Sequence, residues 1–295
     1  MFVRIVTDST FDSSLSKEEL EALGISNVPV YVIIGGNKVF KDGVDIERSD
    51  FAQMISENPN PKTYKTSQPS PGDFAKCYCG FGEDVREIIS IHPPAKLSGI
   101  YNSANLGAAM CLAEKPRLKI EVIDSSNVSY GLGMLVVEAA KMAKAGANAQ
   151  EIKEGVERMK SSIYLYALLD GLSFVKEGRG GSIDGLAAKV GSVIRLKVII
   201  NLHNGKLSLS KICRTRGKGE GNLFEIFCEF QRRGIEKIGM VYTSGLMGEA
   251  DARRLGRRFQ EIEPKLEIPY IATGPALTVQ VGPDVVAFCV LTKNR

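Results

Sequence analysis

The sequence predicts an α/β protein of two units, each built on a mainly parallel sheet flanked by helices, with a β-hairpin in the second. Three observations lead there. Strand and helix signals alternate along most of the chain, the pattern of parallel sheets covered on both faces. The 295 residues exceed the usual single domain. Asn204-Gly205 stands between two apolar alternating runs, the residue pair best suited to a type I′ turn.

The first unit is expected to span residues 1–162. "FVRIVTD" reads as a strand running into a turn, and "SKEELEALG" as a helix with Ser16 and Glu19 in capping-box spacing and Gly24 as its stop. "NVPVYVII" is the next strand, turned by Gly35, Gly36 and Asn37 towards "KVFKDGVD". A helix over about 49–57 stops at Asn58-Pro59, and Ser70, Pro71 and Asp73 mark another helix start. Thr66 and Ser67 therefore lie in a loop feeding a helix N-terminus. Strand 85–92, helix "NSANLGAAMCLAE", strand "LKIEVIDS" and helix "YGLGMLVVEAAKMAKAG", closed by Gly146, complete the alternation. After a helix capped by Asn148, the second unit spans 163–295. It reads as strand "SSIYLYALLD", a Gly-rich turn and helix over "FVKEGRGGSIDGLAAKVGS", the hairpin, helix 219–233, strand 236–242, helix 248–262 and a last strand near 285–291.

Composition excludes several classes. Lys plus Arg number 38 against 34 Asp plus Glu, a formal charge of +4 that is too small and dispersed to indicate nucleic acid. No basic lead with an apolar core follows the N-terminus, and no apolar run approaches the ~20 residues of a membrane span. The expectation is a cytoplasmic protein without a transmembrane segment. The six cysteines are scattered, as reduced packing thiols are, and the pair in "CYC" points to opposite sides of a helix with no Cys/His cluster to complete a metal site.

Catalytic motifs are missing. The phosphate loop G-x-x-x-x-G-K-[ST], the strand-linked G-x-G-x-x-G and the nucleophile elbow G-x-S-x-G are absent. The only histidines are His92, at a strand end, and His203, beside the hairpin tip. Asp8, in "TDST" at the end of the first strand, either holds a metal or ligand or ties its own turn. Arg253, Arg254, Arg257 and Arg258 read as a wet helix face. Thr66 and Ser98 remain, each in a loop ahead of a helix. If their strands are neighbours, the hydroxyls converge at one sheet edge, where neutral donors suit a carboxylate. The other reading is that each caps its own loop.

Eight short segments in order, "IVTDST", "TSQPS", "LSGIYNSA", "VIDS", "KEGRGG", "HNGKL", "RTRGK" and the Gly-Pro pairs at 274 and 282, resemble the DegV family of bacterial fatty-acid-binding proteins. The resemblance implies a two-domain fold burying one long-chain fatty acid, such as palmitate, stearate or oleate, with its carboxylate at the domain junction. It implies that Thr66 and Ser98 hold the head group, that Arg179 lies near it, and that Arg214 contributes to a face meeting a partner. That partner is a separate ATP-dependent fatty acid kinase, making acyl phosphate for phospholipid synthesis. No cofactor or metal is implied. The chain departs from the family pattern where Gln280 stands in place of a His, Asp284 in place of a Gly, and Gly180 in place of an Ile. The polar mouth is expected to comprise Ser67, Arg179 and Gln280 around Thr66 and Ser98, with apolar residues of the first unit enclosing the tail. The alternative is a hydrolase or transferase of small acyl or phosphorylated substrates using Asp8 or Ser98.

Overall fold

The computed structural model describes residues 3–178, 196–245 and 247–293. The first part of the chain runs β1 (Val3–Asp8), α1 (Lys17–Ala22), β2 (Ile25–Val28), β3 (Tyr31–Ile34), β4 (Lys38–Lys41), α2 (Arg48–Glu57), β5 (Tyr64–Ser67) and α3 (Pro71–Cys79). It continues through β6 (Glu87–His92), α4 (Ile100–Glu114), β7 (Lys119–Asp124), α5 (Ser129–Lys144) and α6 (Ala149–Lys160). Then come β8 (Ile163–Leu169), α7 (Ser173–Gly178), β9 (Lys197–His203), β10 (Lys206–Cys213), α8 (Arg216–Arg233) and β11 (Ile235–Tyr242). α9 (Gly248–Ile262), β12 (Tyr270–Ala272), α10 (Pro275–Val281) and β13 (Val286–Thr292) close the chain.

The α/β class holds, and the first sheet is parallel throughout, in the order β2-β1-β6-β7. Alternation along its strands dresses both faces. Val3 and Ile5 of β1 with Ile89 and Ile91 of β6 pack into a core with Leu132, Leu135 and Ala139 of α5. Val6 and Ile88 point the other way, against Phe74 and Tyr78 of α3 and Ala104 and Ala108 of α4. The α3 start is the expected capping box, with Ser70 Oγ accepting from the Asp73 amide and the Asp73 carboxylate accepting from the Ser70 amide.

The second sheet corrects the expectation of a mainly parallel arrangement. Its order is β10-β9-β8-β13-β11-β12, and only β11 and β12 run parallel. Hydrophobic periodicity identifies strands but not their directions. Here the last strand, β13, enters between β8 and β11, antiparallel to both. Its core holds Phe227 and Phe259, fully buried and stacked with ring centroids 3.9 Å apart. Burial of each contributes about 2–3 kcal/mol. The β9–β10 hairpin is as expected, with Asn204 and Gly205 at φ 49° and 69°, both in the left-handed region a type I′ turn demands.

A third, three-stranded antiparallel sheet, β4-β3-β5, was not legible as such. The apolar run 27–34 is two strands, since Pro29 has no N–H to donate to a ladder. β2 joins the parallel sheet and β3 leaves it to pair with β5. Thr66 is thereby in a strand and not in a loop, opposite Val32.

The cysteines also depart from expectation. Cys79 and Cys111 form a disulfide, Cα atoms 5.6 Å apart, linking α3 to α4. Cys213 and Cys289 are the buried thiols anticipated, Cys77 and Cys228 are half-buried, and burial pushes the Cys77 thiol up to about 11. Among the described residues no helix is long and apolar enough to cross a membrane.

Candidate functional site

Thr66, Ser98 and Gln280 line one chamber of about 260 Å³, with Thr10 and Gln68 completing its polar wall. Three parts of the chain meet there. Thr66 is inward-facing in β5, and its neighbour Ser67 is exposed, as strand alternation requires. Ser67 is therefore not part of the chamber wall. Ser98 precedes α4, where its Oγ accepts from the Ile100 amide at 3.3 Å. It ties the entry to its helix through that bond and lines the chamber at once. Gln280, on α10, donates from Nε2 to Thr66 Oγ1 at 2.8 Å.

The two loops are tied by a residue that sequence reasoning missed. Gln68 donates from Nε2 to Ser103 Oγ of α4 at 2.8 Å. Its amide fills the space over Gly99, where a Cβ would sit 2.0 Å from Gln68 Oε1. Any side chain at 99 would displace the Gln68 amide from this position. Neighbouring parallel strands were the route by which Thr66 and Ser98 were expected to meet; this bridge, joined to the small antiparallel sheet, is the actual one.

The chamber adjoins a second, apolar one of about 80 Å³, and Leu97, Val128, Leu277 and Gln280 line both. Leu165, Ala167, Ile200, Leu202, Val241 and Ala287 wall the apolar chamber. All six belong to the second sheet, whereas enclosure by the first unit was expected. The volume is below the ~150 Å³ that accepts a benzene ring. Among the described residues no charged side chain lines either chamber.

Asp8, His92, Ser90 and Tyr78 form a closed relay elsewhere. His92 Nδ1 pairs with Asp8 Oδ2 and His92 Nε2 with Ser90 Oγ, both at 2.7 Å, and Ser90 Oγ meets the Tyr78 hydroxyl at 2.8 Å. The Ser-His-Asp connectivity is that of a hydrolase triad. All four residues are fully buried, and none lines either chamber. The other Asp8 oxygen accepts from the Thr10 amide and hydroxyl, so Asp8 ties its turn.

Arg179 and Gly180 lie outside the described residues. Arg214 is exposed in the turn between β10 and α8. Its neighbour Arg216 is the structural cation, bonded to Asp170, Asp251 and the Asp284 carbonyl.

A family model described as an uncharacterised DegV family protein matches residues 2–293. The chain belongs to the DegV family. A DegV domain-containing protein of Staphylococcus aureus strain COL is 32% identical over 291 residues, covering 98% of each chain. Among solved structures, a DegV family protein from Thermus thermophilus, described for its fatty acid binding, is 27% identical with a TM-score of 0.81, covering 99% of this chain and 100% of that one. The fatty acid kinase B3 protein of Streptococcus pneumoniae, loaded with linoleic acid, is 20% identical with a TM-score of 0.81 and coverages of 99% and 100%; at that identity the likeness is one of fold.

In this DegV family member both departures near the C-terminus have a local account. Asp284 adopts φ 61°, a conformation that glycine takes freely, and its carboxylate accepts from the Met247 and Gly248 amides at the start of α9. Gln280 is placed by the anchoring of α10. The Gly274 amide donates to Asp12 Oδ1 and the Ala276 amide to Asp42 Oδ2, both at 3.2 Å. Asp12 also accepts from Ser129 Oγ at 2.7 Å and pairs with Arg48.

Burial pushes the Asp42 carboxyl up to about 7, against the Ala276 amide and the Ser9 hydroxyl, which pull it down. Burial likewise raises Asp12, with Arg48 as the main opposing influence. For Asp42 the folded state holds a proton that the unfolded chain, titrating near ~3.9, has released. Its contribution to stability is therefore full below about pH 4 and is lost as pH rises towards about 7. Asp42→Asn keeps a carbonyl acceptor for Ala276 and removes the titration. Between about pH 5 and about pH 8 the wild type should lose more urea resistance than Asp42→Asn. Equal losses in the two proteins would refute this.

Proposed function

We propose that this DegV family member is a carrier for one long-chain fatty acid. The carboxylate lies in the polar chamber on the Thr66 and Ser98 hydroxyls, and the acyl chain extends into the apolar chamber. The observation that carries this reading is the adjacency of the two chambers: a small polar pocket lined by Thr66 and Ser98 shares Leu97, Val128, Leu277 and Gln280 with a narrow space walled by Leu165, Ile200, Leu202 and Val241. Thr66 and Ser98 are the positions that the DegV resemblance assigns to the head group, and they line the same chamber. We take residues 1–162 and 163–295 as two domains sharing the ligand, the first supplying the hydroxyls and the second most of the tail wall.

The energetics favour a carrier of this kind. Each methylene buried contributes about 0.8 kcal/mol, so a tail of over a dozen supplies about 10 kcal/mol before the costs of ordering and of widening the apolar chamber to hold it. The hydroxyls orient the molecule. The chain presents the carboxylate to a separate ATP-dependent fatty acid kinase for acyl phosphate formation and performs no chemistry itself. The relay around His92 is closed to substrate, and neither Asp8 nor His92 reaches the chamber that Ser98 lines.

Native mass spectrometry after bacterial expression tests the binding. The protein should carry a mass adduct equal to a long-chain fatty acid, and after delipidation it should rebind palmitate at one equivalent. A protein that retains none and takes up none when offered it would overturn the reading. Addition of a bacterial fatty acid kinase and ATP to the loaded protein should yield acyl phosphate.

A further inference from the structure

A hydroxyl has one hydrogen to donate and two lone pairs to accept with. Three hydroxyls line the polar chamber, and their partners divide them. Thr10 Oγ1 donates to Asp8 Oδ1 at 2.5 Å, so its hydrogen is committed. Thr66 Oγ1 and Ser98 Oγ each receive an N–H, from Gln280 Nε2 at 2.8 Å and from the Ile100 amide at 3.3 Å. An N–H aimed at a hydroxyl oxygen turns that group's own hydrogen elsewhere, and both residues line the chamber. Each can donate into it, with one lone pair left over. The Ser98 arrangement is fixed by backbone, but the Thr66 arrangement depends on one side chain.

We propose that Gln280 is a positioning residue which, by donating to Thr66, fixes the chamber to receive an acceptor-only head group, an ionised carboxylate, in preference to a head group that must donate, such as an alcohol. This rests on the fatty acid reading and extends it to the basis of head-group choice. A carboxylate offers two oxygens and no hydrogen, matching two outward O–H groups. An alcohol brings its own hydrogen into a chamber whose two free hydroxyls are already donors. Gln280 also lines both chambers, where the head group meets the first methylenes.

No titratable side chain among the described residues of the polar chamber competes with this role. α10 packs on α2, α7, β3 and β5. Their described ionisable groups are Arg48, Asp50 and Glu57 of α2, Glu177 of α7, Tyr31 of β3, and Tyr64 and Lys65 of β5. Asp12 and Asp42 stand at the α10 N-terminus. None of these lines the chamber, and only Tyr242 among titratable groups lines the apolar one.

The test is competition. Delipidated full-length protein is equilibrated with equimolar palmitate and hexadecanol, and the bound lipid is extracted and weighed by mass spectrometry. Wild type should favour palmitate. Gln280→Met, of similar length but without a donor, should lower that preference about tenfold or more, because one charge-assisted bond loses its fixed geometry. Continued hexadecanol uptake by this variant reports an intact chamber. Gln280→Glu supplies the rescue and the pH readout. Protonated, the new carboxyl donates to Thr66 and should preserve the preference at about pH 5; ionised, it takes the Thr66 hydrogen and repels the ligand, so the preference should collapse by about pH 8. A wild-type preference in Gln280→Met, or a pH-independent preference in Gln280→Glu, would overturn the positioning role while leaving fatty acid binding standing. Wild type that binds neither lipid would overturn the carrier reading, and this inference with it.

Discussion

Thr66→Val combined with Ser98→Ala should strip the protein of its fatty acid while leaving it folded. In the proposed pose each hydroxyl donates one bond to a charged group, worth about 1.5–3 kcal/mol, so losing both should weaken retention by about a hundredfold or more. Valine matches threonine in size, and alanine at 98 removes one bond to the Ile100 amide, worth about 1 kcal/mol. The tail wall is untouched, so the variant should still melt cooperatively near the wild type. Calorimetric titration of the delipidated variant with palmitate measures the effect. Undiminished affinity would mean that the carboxylate lies elsewhere.

His92→Ala should act in the opposite manner, costing stability without addressing the ligand. The ring is fully buried, bonded to Asp8 and Ser90, and set edge-on to Phe74 with ring centroids 5.0 Å apart. Its removal leaves a cavity between β6 and α3 and strands a buried carboxylate. A loss of about 3–5 kcal/mol in urea unfolding is expected. A variant as stable as wild type would show that the relay does not brace the fold, and would reopen a chemical role for it.

How far the sequence spoke depended on whether the relevant information was local. The helix start at Ser70 and the turn at Asn204-Gly205 rest on residues adjacent in the chain, and both stand as read. Strand direction in the second sheet is set by where β13 inserts, a partner choice between segments over 100 residues apart, which periodicity does not encode. Thr66 and Ser98 were legible as candidates because they are polar residues beside helix starts and match the family pattern. Gln280 was legible in the same way as a residue of the mouth, but its bond to Thr66 and the whole role of Gln68 were not, since each depends on a contact made across the fold. Ser67 failed for a simpler reason: once Thr66 belongs to a strand, the next residue must face outwards.

Gln280 reaches Thr66 from 214 positions later in the chain, on a short helix held by Asp12 and Asp42. During synthesis the segment around Thr66 waits for residues 275–281 to leave the ribosome before the pocket's third side exists. Newborn chains thus have no finished receptacle for lipid until that short helix has emerged, and a product truncated ahead of residue 275 should emerge empty.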